Sequence, residues 1–281
     1  MSILIDGKAL AAEMRAQLCE RVKNFKIEHG KEIGLAVVLV GEDPASQVYV
    51  RNKIRACEEV GIRSYAYRLP ESATQEEVEM LIDELVASDH IHGILVQLPL
   101  PKHLNERKLL RRIPPAKDVD GFCAENVGNL AMNRETIVAC TPFGVMKMLE
   151  KYGIDPKGKR AVVLGRSNIV GKPMAMLLLN ADATVTVCHS KTENLKEICA
   201  SADILVVAIG KAKFVTADMV KDSAVVIDVG MDRDENGKLC GDVDFEDVKD
   251  KASYITPVPG GVGPMTITML LYNTVQTAER S

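Results

Sequence analysis

The sequence predicts an α/β protein of two domains, each a parallel sheet covered by helices, and three observations lead there. The chain has 281 residues, more than most single domains, which hold roughly 100 to 200. Short β-branched runs alternate with helical segments through both halves, the order that produces parallel strands joined by helical crossovers. Near residue 160 an apolar strand runs into a glycine turn and a helix, and a second alternating series starts there.

The first domain opens on a helix. Asp6 caps a segment reaching His29, in which Leu10, Met14, Leu18, Val22 and Phe25 recur at spacings of three and four and make one apolar stripe. Gly30 stops it. Residues 33–40 are almost wholly apolar and bounded by Gly30 and Gly41, which reads as a strand buried on both faces. Asp43 offers a side-chain cap, Pro44 takes the first helical position where its missing N–H costs nothing, and Gly61 closes the next helix. Strand 62–69, helix 74–88 and strand 91–97 follow, and the prolines within 98–101 end the last strand because proline cannot donate to a ladder.

Residues 113–139 read as loop, with Pro114, Pro115, Gly121 and Gly128 marking irregular chain near a boundary. Thr141 and Pro142 open a helix that ends at Gly153. Strand 159–164, helix 173–180 and strands 183–188, 203–209 and 224–229 make the second series, and a last helix, 264–279, starts at Pro264 after a glycine-rich loop. The expected division is residues 1–139, completed by the helix from 264 to 281, and residues 140–263.

Hydrophobic residues make up 47% and charged residues 26% of the chain, the composition of an ordinary globular protein. A formal net charge of −4 without any basic run excludes a surface that binds by releasing phosphate counterions, so no nucleic acid is expected. The first residues carry no export or transit pattern and no apolar stretch nears the roughly 20 residues that cross a bilayer, so no membrane is expected and the cytoplasm is the expected address. The seven cysteines are scattered without a C-x-x-C pair, as for buried thiols in a reducing compartment. His90 and His92 have no carboxylate or thiol close in sequence to complete a metal site, so no metal is expected.

The turn after residue 164 reads Gly165-Arg166-Ser167-Asn168-Ile169-Val170-Gly171. Glycine lets backbone approach a ligand, and the N–H groups at the helix start attract negative charge, so a phosphate is favoured and the second domain is predicted to be a Rossmann-like dinucleotide-binding domain. A glycine turn with no ligand is the alternative. A P-loop fits less well, since five residues rather than four separate the glycines and Pro173 has no hydroxyl for magnesium. The end of the next strand reads Cys188-His189-Ser190-Lys191, with no acid to hold a ribose 2′-hydroxyl and with Arg166, Ser190 and Lys191 as donors. NADP is therefore expected over NAD.

Tyr49 and Lys53 stand four apart on the second helix, an aromatic plate and an amine on one face. Helices often carry such a pair for packing and solvation alone, and the surrounding text is what gives it weight. GEDPASQVYVRNKIRACEEVGI, ILVQLPLPKHL, PPAKDVDGF, CTPFGV, VLGRSNIVGKP and ITPVPGGVGPMT all resemble, in the same order, segments of the bifunctional methylenetetrahydrofolate dehydrogenase/cyclohydrolases. The resemblance implies a folate cleft between two domains, a homodimer, and oxidation of methylenetetrahydrofolate with NADP followed by hydrolysis of the methenyl product. It implies Lys53 as the catalytic lysine, Tyr49 as the platform for the folate with Ser46 close by, and Gln97 as hydrogen-bonding near the lysine, with Leu98 and Pro99 beside it. Asp120 corresponds to the acid that anchors the pterin, and Pro259, Gly260 and Gly261 to the loop bordering the folate. Gly165, Arg166, Ser167, Ser190 and Met231 correspond to positions around NADP.

Oxidation and hydrolysis ask for different things. Hydride transfer needs two flat rings held against each other, whereas hydrolysis needs a group that moves protons. A short-chain dehydrogenase also uses a Tyr-x-x-x-Lys pair, but there the glycine turn comes first in the chain, and here Lys53 precedes Gly165. A shikimate-dehydrogenase-like enzyme and a catalytically silent NADP-binding protein remain as alternatives. No G-x-x-x-x-G-K-[ST] loop occurs, so no ATP-driven formate ligation is expected.

Overall fold

The computed structural model describes residues 2–281, apart from the Ala45 side chain. Its contacts divide the chain into two compact units, one of Glu13–Cys140 with Ile267–Ser281, the other of the segment up to Ala12 with Thr141–Thr266.

The first unit is built on a parallel three-stranded sheet with Gly34–Val40 between Arg63–Leu69 and Gly93–Val96. Every residue of the central strand is buried, which is why its sequence is apolar without alternation. The helices Pro44–Val60 and Gln75–Ala87 supply the crossovers. Asp43 caps the first by accepting the Ser46 N–H at 2.7 Å, and Gly61 ends it at φ +85, a left-handed turn that glycine makes without strain. Thr74 and Glu77 close a capping box on the second.

Beyond its last strand the sheet is prolonged by irregular chain. The Ile94 N–H donates to Lys117 O at 2.8 Å, and Ile94 bridges Asp118 in parallel. Gly93 makes room for this, since a Cβ there would lie 2.5 Å from Val119 Cγ1. Asn273, fully buried on the helix Val262–Glu279, donates to Val119 O and Val138 O, both at 2.9 Å. It pins two passing loop segments by their carbonyls, that of Val119 also accepting from Cys140 Sγ at 3.3 Å.

The second unit holds a six-stranded, wholly parallel sheet in the order Ile3–Leu4, Tyr254–Ile255, Val225–Asp228, Ile204–Val207, Arg160–Leu164, Thr184–Cys188. From Arg160–Leu164 the chain moves outward to Thr184–Cys188, then returns to the other side of its starting strand. That reversal leaves a crevice beyond the carboxyl ends of Arg160–Leu164 and Ile204–Val207, where open α/β sheets bind ligands.

The structure departs from the sequence reading at short elements. The segment expected as loop between 113 and 139 contains the helix Ala124–Ala131, buried through Asn126 and Leu130; its Gly and Asn residues weaken helix propensity, and packing overrides that. Glu106–Leu110 and Leu195–Ala200 are further helices too short to show a period. The residues before Glu13, expected with the first domain, group instead with the second, because Ile3 and Leu4 pair with Tyr254 and Ile255. Two paired residues leave no pattern in the sequence.

Candidate active site

Lys53 lies inside the helix Pro44–Val60 and donates from Nζ to Gln97 Oε1 at 3.0 Å. Gln97 is the first residue past Gly93–Val96, and its own N–H donates to Val38 O at 2.8 Å, so the register of the two strands aims its side chain. Its Nε2 donates to Leu98 O at 2.7 Å. That bond leaves the amide oxygen as the group facing the amine. The Leu98–Pro99 bond that follows is cis.

Tyr49 stands one turn before Lys53 with 38% of its surface exposed, an open aromatic face, and burial of the remainder pushes its hydroxyl pKa up. Ser46, a further turn back, is buried at 3% exposure and spends its N–H on Asp43. Both Tyr49 and Ser46 thus share the Lys53 face, as the spacing of three and four requires.

Asp120 follows the stretch that runs beside Gly93–Val96, which brings it within electrostatic reach of Lys53. Desolvation pushes its carboxyl pKa up to about 7; the Lys53 amine opposes that rise and the Asp118 carboxylate adds to it. No described residue donates a hydrogen bond to the Asp120 carboxyl, although it keeps only part of its surface in solvent. The turn after it is tight. Gly121 has φ +71, and a Cβ there would lie 2.6 Å from both Ala139 N and Val138 C.

In the second unit, Gly165 ends the strand Arg160–Leu164 with φ +127, and its N–H donates to Cys188 O at 2.9 Å. A Cβ on it would sit 2.2 Å from Ala208 O, just past the strand across the crevice, and one on Gly171 would sit 2.3 Å from Gly165 O. Both glycines are therefore required by backbone approach alone. Ser167 Oγ accepts the N–H groups of Val170 and Gly171 at 3.1 and 3.3 Å, which shapes the start of the helix Gly171–Asn180. Arg166 is exposed beside it, and Ser190 and Lys191 lie past the end of the neighbouring strand, where no carboxylate stands between Cys188 and Thr192. This donor set, cationic and beside a helix start, fits a dinucleotide carrying a 2′-phosphate.

Met231 follows the strand Val225–Asp228 and is 45% exposed, with its Cε 2.9 Å from where a Cβ on Gly263 would be. Pro259, Gly260 and Gly261 lie past Tyr254–Ile255 after a cis Val258–Pro259 bond, and the Gly260 carbonyl accepts the Lys8 N–H at 2.9 Å. All these residues share the carboxyl end of one sheet.

The structure brings Lys53 and Gln97 into contact, sets Tyr49 and Ser46 on the same helix and puts Asp120 nearby. The loop Pro259 to Gly261 belongs to the second unit with the residues expected around the cofactor. Sequence reasoning passed over Asp118, the first acid of Asp118-Val119-Asp120, which is 5% exposed. It also passed over Asp242, fully buried, which accepts the Ile209 and Lys211 N–H groups at 2.7 and 2.6 Å and so holds the chain just past Ile204–Val207. Neither stands out in sequence, since Asp118 lies between Lys117 and Val119-Asp120 and Asp242 opens an acidic stretch; burial alone marks them.

Comparison with known proteins gives concordant results over the whole chain. Residues 5–120 match the model of the tetrahydrofolate dehydrogenase/cyclohydrolase catalytic domain, and residues 139–281 that of the NAD(P)-binding domain of the same family. The chain is 60% identical over 277 residues to the bifunctional protein FolD of Moorella thermoacetica, covering 99% of each. The crystal structure of the bifunctional methylenetetrahydrofolate dehydrogenase/cyclohydrolase from Campylobacter jejuni superposes with a TM-score of 0.98 at 53% identity, over 100% of this chain and 99% of that one. The Trypanosoma brucei enzyme, complexed with NADP cofactor and inhibitor, superposes with a TM-score of 0.95 at 41% identity, covering 99% and 98%.

Proposed function

Since this chain belongs to the tetrahydrofolate dehydrogenase/cyclohydrolase family, we propose a division of labour among its residues for the two reactions of that family. The chain oxidises 5,10-methylenetetrahydrofolate to the methenyl form and hydrolyses the latter to 10-formyltetrahydrofolate. The cofactor is NADP. The observation that carries the assignment of roles is the Lys53–Gln97 hydrogen bond of 3.0 Å, one turn from an exposed tyrosine face.

Tyr49 offers the plate on which the flat pterin stacks. Gln97, locked by Leu98 O, accepts from the amine and holds it in one direction rather than leaving it to wander on four rotatable bonds. Asp120, with no hydrogen-bond donor among the described residues, accepts from the pterin amino group and ring nitrogen. Bound NADP supplies the acceptor for the hydride. In the hydrolysis, water adds to the cationic methenyl carbon and loses one proton to give a neutral carbinolamine; the remaining hydroxyl proton then leaves as the bond from that carbon to one ring nitrogen breaks and that nitrogen takes a proton, so one proton is released overall. Lys53 is the group placed to move those protons.

Ser46, Leu98 and Pro99 shape the folate side, and the family likeness adds Pro259, Gly260 and Gly261 as folate-contacting residues. Gly165, Arg166, Ser167, Ser190 and Met231 hold the dinucleotide, with Arg166 and Ser190 on the 2′-phosphate. A comparison of initial rates with NADP and NAD tests this: NADP is used in preference, and equal or better use of NAD defeats the assignment to Arg166 and Ser190. The family likeness extends the proposal to a cytoplasmic homodimer, which sedimentation at micromolar concentration checks.

Asp120 sets a pH dependence. Its carboxyl is raised to about 7, so the folded protein binds a proton there that the unfolded chain has released, and stability from this group falls as the pH rises from about 4 to about 7. Ionised Asp120 is the form that accepts the pterin, so kcat/KM for the folate falls as the pH drops through about 7. The isosteric Asp120→Asn cannot ionise; its expected signature is a raised folate KM and loss of that limb, while melting temperature declines less between pH 5 and 8 than in the wild type. An unchanged folate KM would refute the anchoring role.

A further inference from the structure

Behind Asp120 lies a second carboxylate that the reactions above do not use. Asp118 is 5% exposed, and its side chain accepts three hydrogen bonds: from the Gly121 N–H at 3.1 Å, the Cys123 N–H at 2.7 Å and Asn126 Nδ2 at 3.1 Å. Asn126 is itself 4% exposed and fully engaged. Its Nδ2 also donates to Pro115 O at 3.2 Å, and its Oδ1 accepts from Thr136 Oγ1 at 2.8 Å. The chain of bonds runs from Thr136 through Asn126 and Asp118 to the turn that carries Asp120. A buried carboxylate with three donors is held more firmly than a neutral acceptor would be, because each bond is charge-assisted.

We propose that Asp118, braced by Asn126 and Thr136, is a positioning residue for Asp120: its carboxylate closes the turn that aims Asp120 at the folate and puts a fixed negative charge beside it. The proposal rests on the assignment of Asp120 as the pterin anchor. Two features separate this from an ordinary turn cap. The bonds reach two successive points past Asp120, on Gly121 and Cys123, so the Asp120 backbone cannot shift without breaking one of them. The charge also acts on Asp120 directly, against Lys53. Lys53 from the helix Pro44–Val60, Asp118 on the same turn and Cys140 at the start of the next helix are the titratable groups around Asp120, and the Cys140 thiol, driven up by burial and by Asp120, stays neutral.

The test measures kcat/KM for methenyltetrahydrofolate hydrolysis from pH 5.5 to 8 on the wild type, Asp120→Asn and Asp118→Asn, so that failure of the underlying assignment shows as an acid limb kept in Asp120→Asn, apart from any result with Asp118→Asn. Asp118→Asn keeps the shape and removes the charge. The plateau is expected to fall roughly tenfold, the worth of one charge-assisted bond, and the acid limb to move to lower pH because the repulsion on Asp120 is gone. A folded variant with an unmoved limb overturns the proposal, whether its plateau falls or not, since a merely structural turn would lose rate at every pH alike. If Asp118→Asn does not fold, Thr136→Val decides between the outcomes: it removes the hydroxyl behind Asn126, is expected to raise folate KM several-fold with NADP KM unchanged, and overturns the proposal if folate KM stays at the wild-type value.

Discussion

Lys53→Met is expected to abolish hydrolysis of methenyltetrahydrofolate, by roughly a hundredfold or more, the range a positioned acid–base group contributes, while part of the hydride transfer survives. The two reactions separate because they ask different things of the residue. Hydride transfer moves no proton through an amine; it requires only that the folate lie flat and in place, and Tyr49, Gln97 and Asp120 remain to do that. Hydrolysis depends on Lys53 for its protons, since Gln97 has no ionisable group and Asp120 is engaged in holding the pterin. Methionine keeps the length and most of the volume of the lysine stem, so the half-buried channel beside Gln97 stays filled. The measurement follows NADPH formation from the methylene substrate alongside decay of the methenyl absorbance. Methenyltetrahydrofolate should accumulate in the variant. Retained cyclohydrolase activity at about a tenth of the wild type or better would remove Lys53 from the proton-transfer role.

Gly165→Ala should damage the second unit severely. Its φ of +127 is closed to side-chain-bearing residues, and the new Cβ would lie 2.2 Å from Ala208 O. That oxygen belongs to the chain just past the strand on the other side of the crevice, so relief requires the two central strands to part at their carboxyl ends. Backbone strain and overpacking each cost about 1 to 3 kcal/mol, and both act here. A melting temperature lowered by many degrees is expected, together with an NADP KM raised at least about tenfold, since roughly 1.4 kcal/mol of lost binding suffices for that. The folate affinity of whatever protein remains folded should change less. Wild-type melting and a wild-type NADP KM together would show that the crevice does not depend on this backbone approach.

How much of this is legible in the sequence depends on the length of the signal. The helix Pro44–Val60 is readable to within a residue, because Asp43, Pro44 and Gly61 each do a local chemical job at its ends. The strands Gly34–Val40 and Arg160–Leu164 are readable from unbroken apolar runs. The helix Ala124–Ala131 is not, because its Gly128 and its polar residues carry little helical preference and only Asn126 and Leu130 are buried. The pairing of Ile3–Leu4 is unreadable for a related reason: two residues hold no period, and their partners Tyr254 and Ile255 lie at the far end of the chain.

For the site, the chemical inventory is local and the contacts are not. An amine at Lys53, an aromatic one turn before it, a glycine turn opening a helix and a strand end without an acid are all statements about nearby residues, and composition and spacing suffice for them. The approach of Lys53 Nζ to Gln97 Oε1, the opposition of Gly165 and Ala208 and the burial of Asp118 under its three donors depend on strand order and register. Sequence by itself therefore determined which groups this protein has to work with and which family it resembles. Tertiary structure alone decided which of two acids two positions apart is braced inside and which is left open to a ligand, because burial and hydrogen-bond partners are properties of chain segments that meet only after folding.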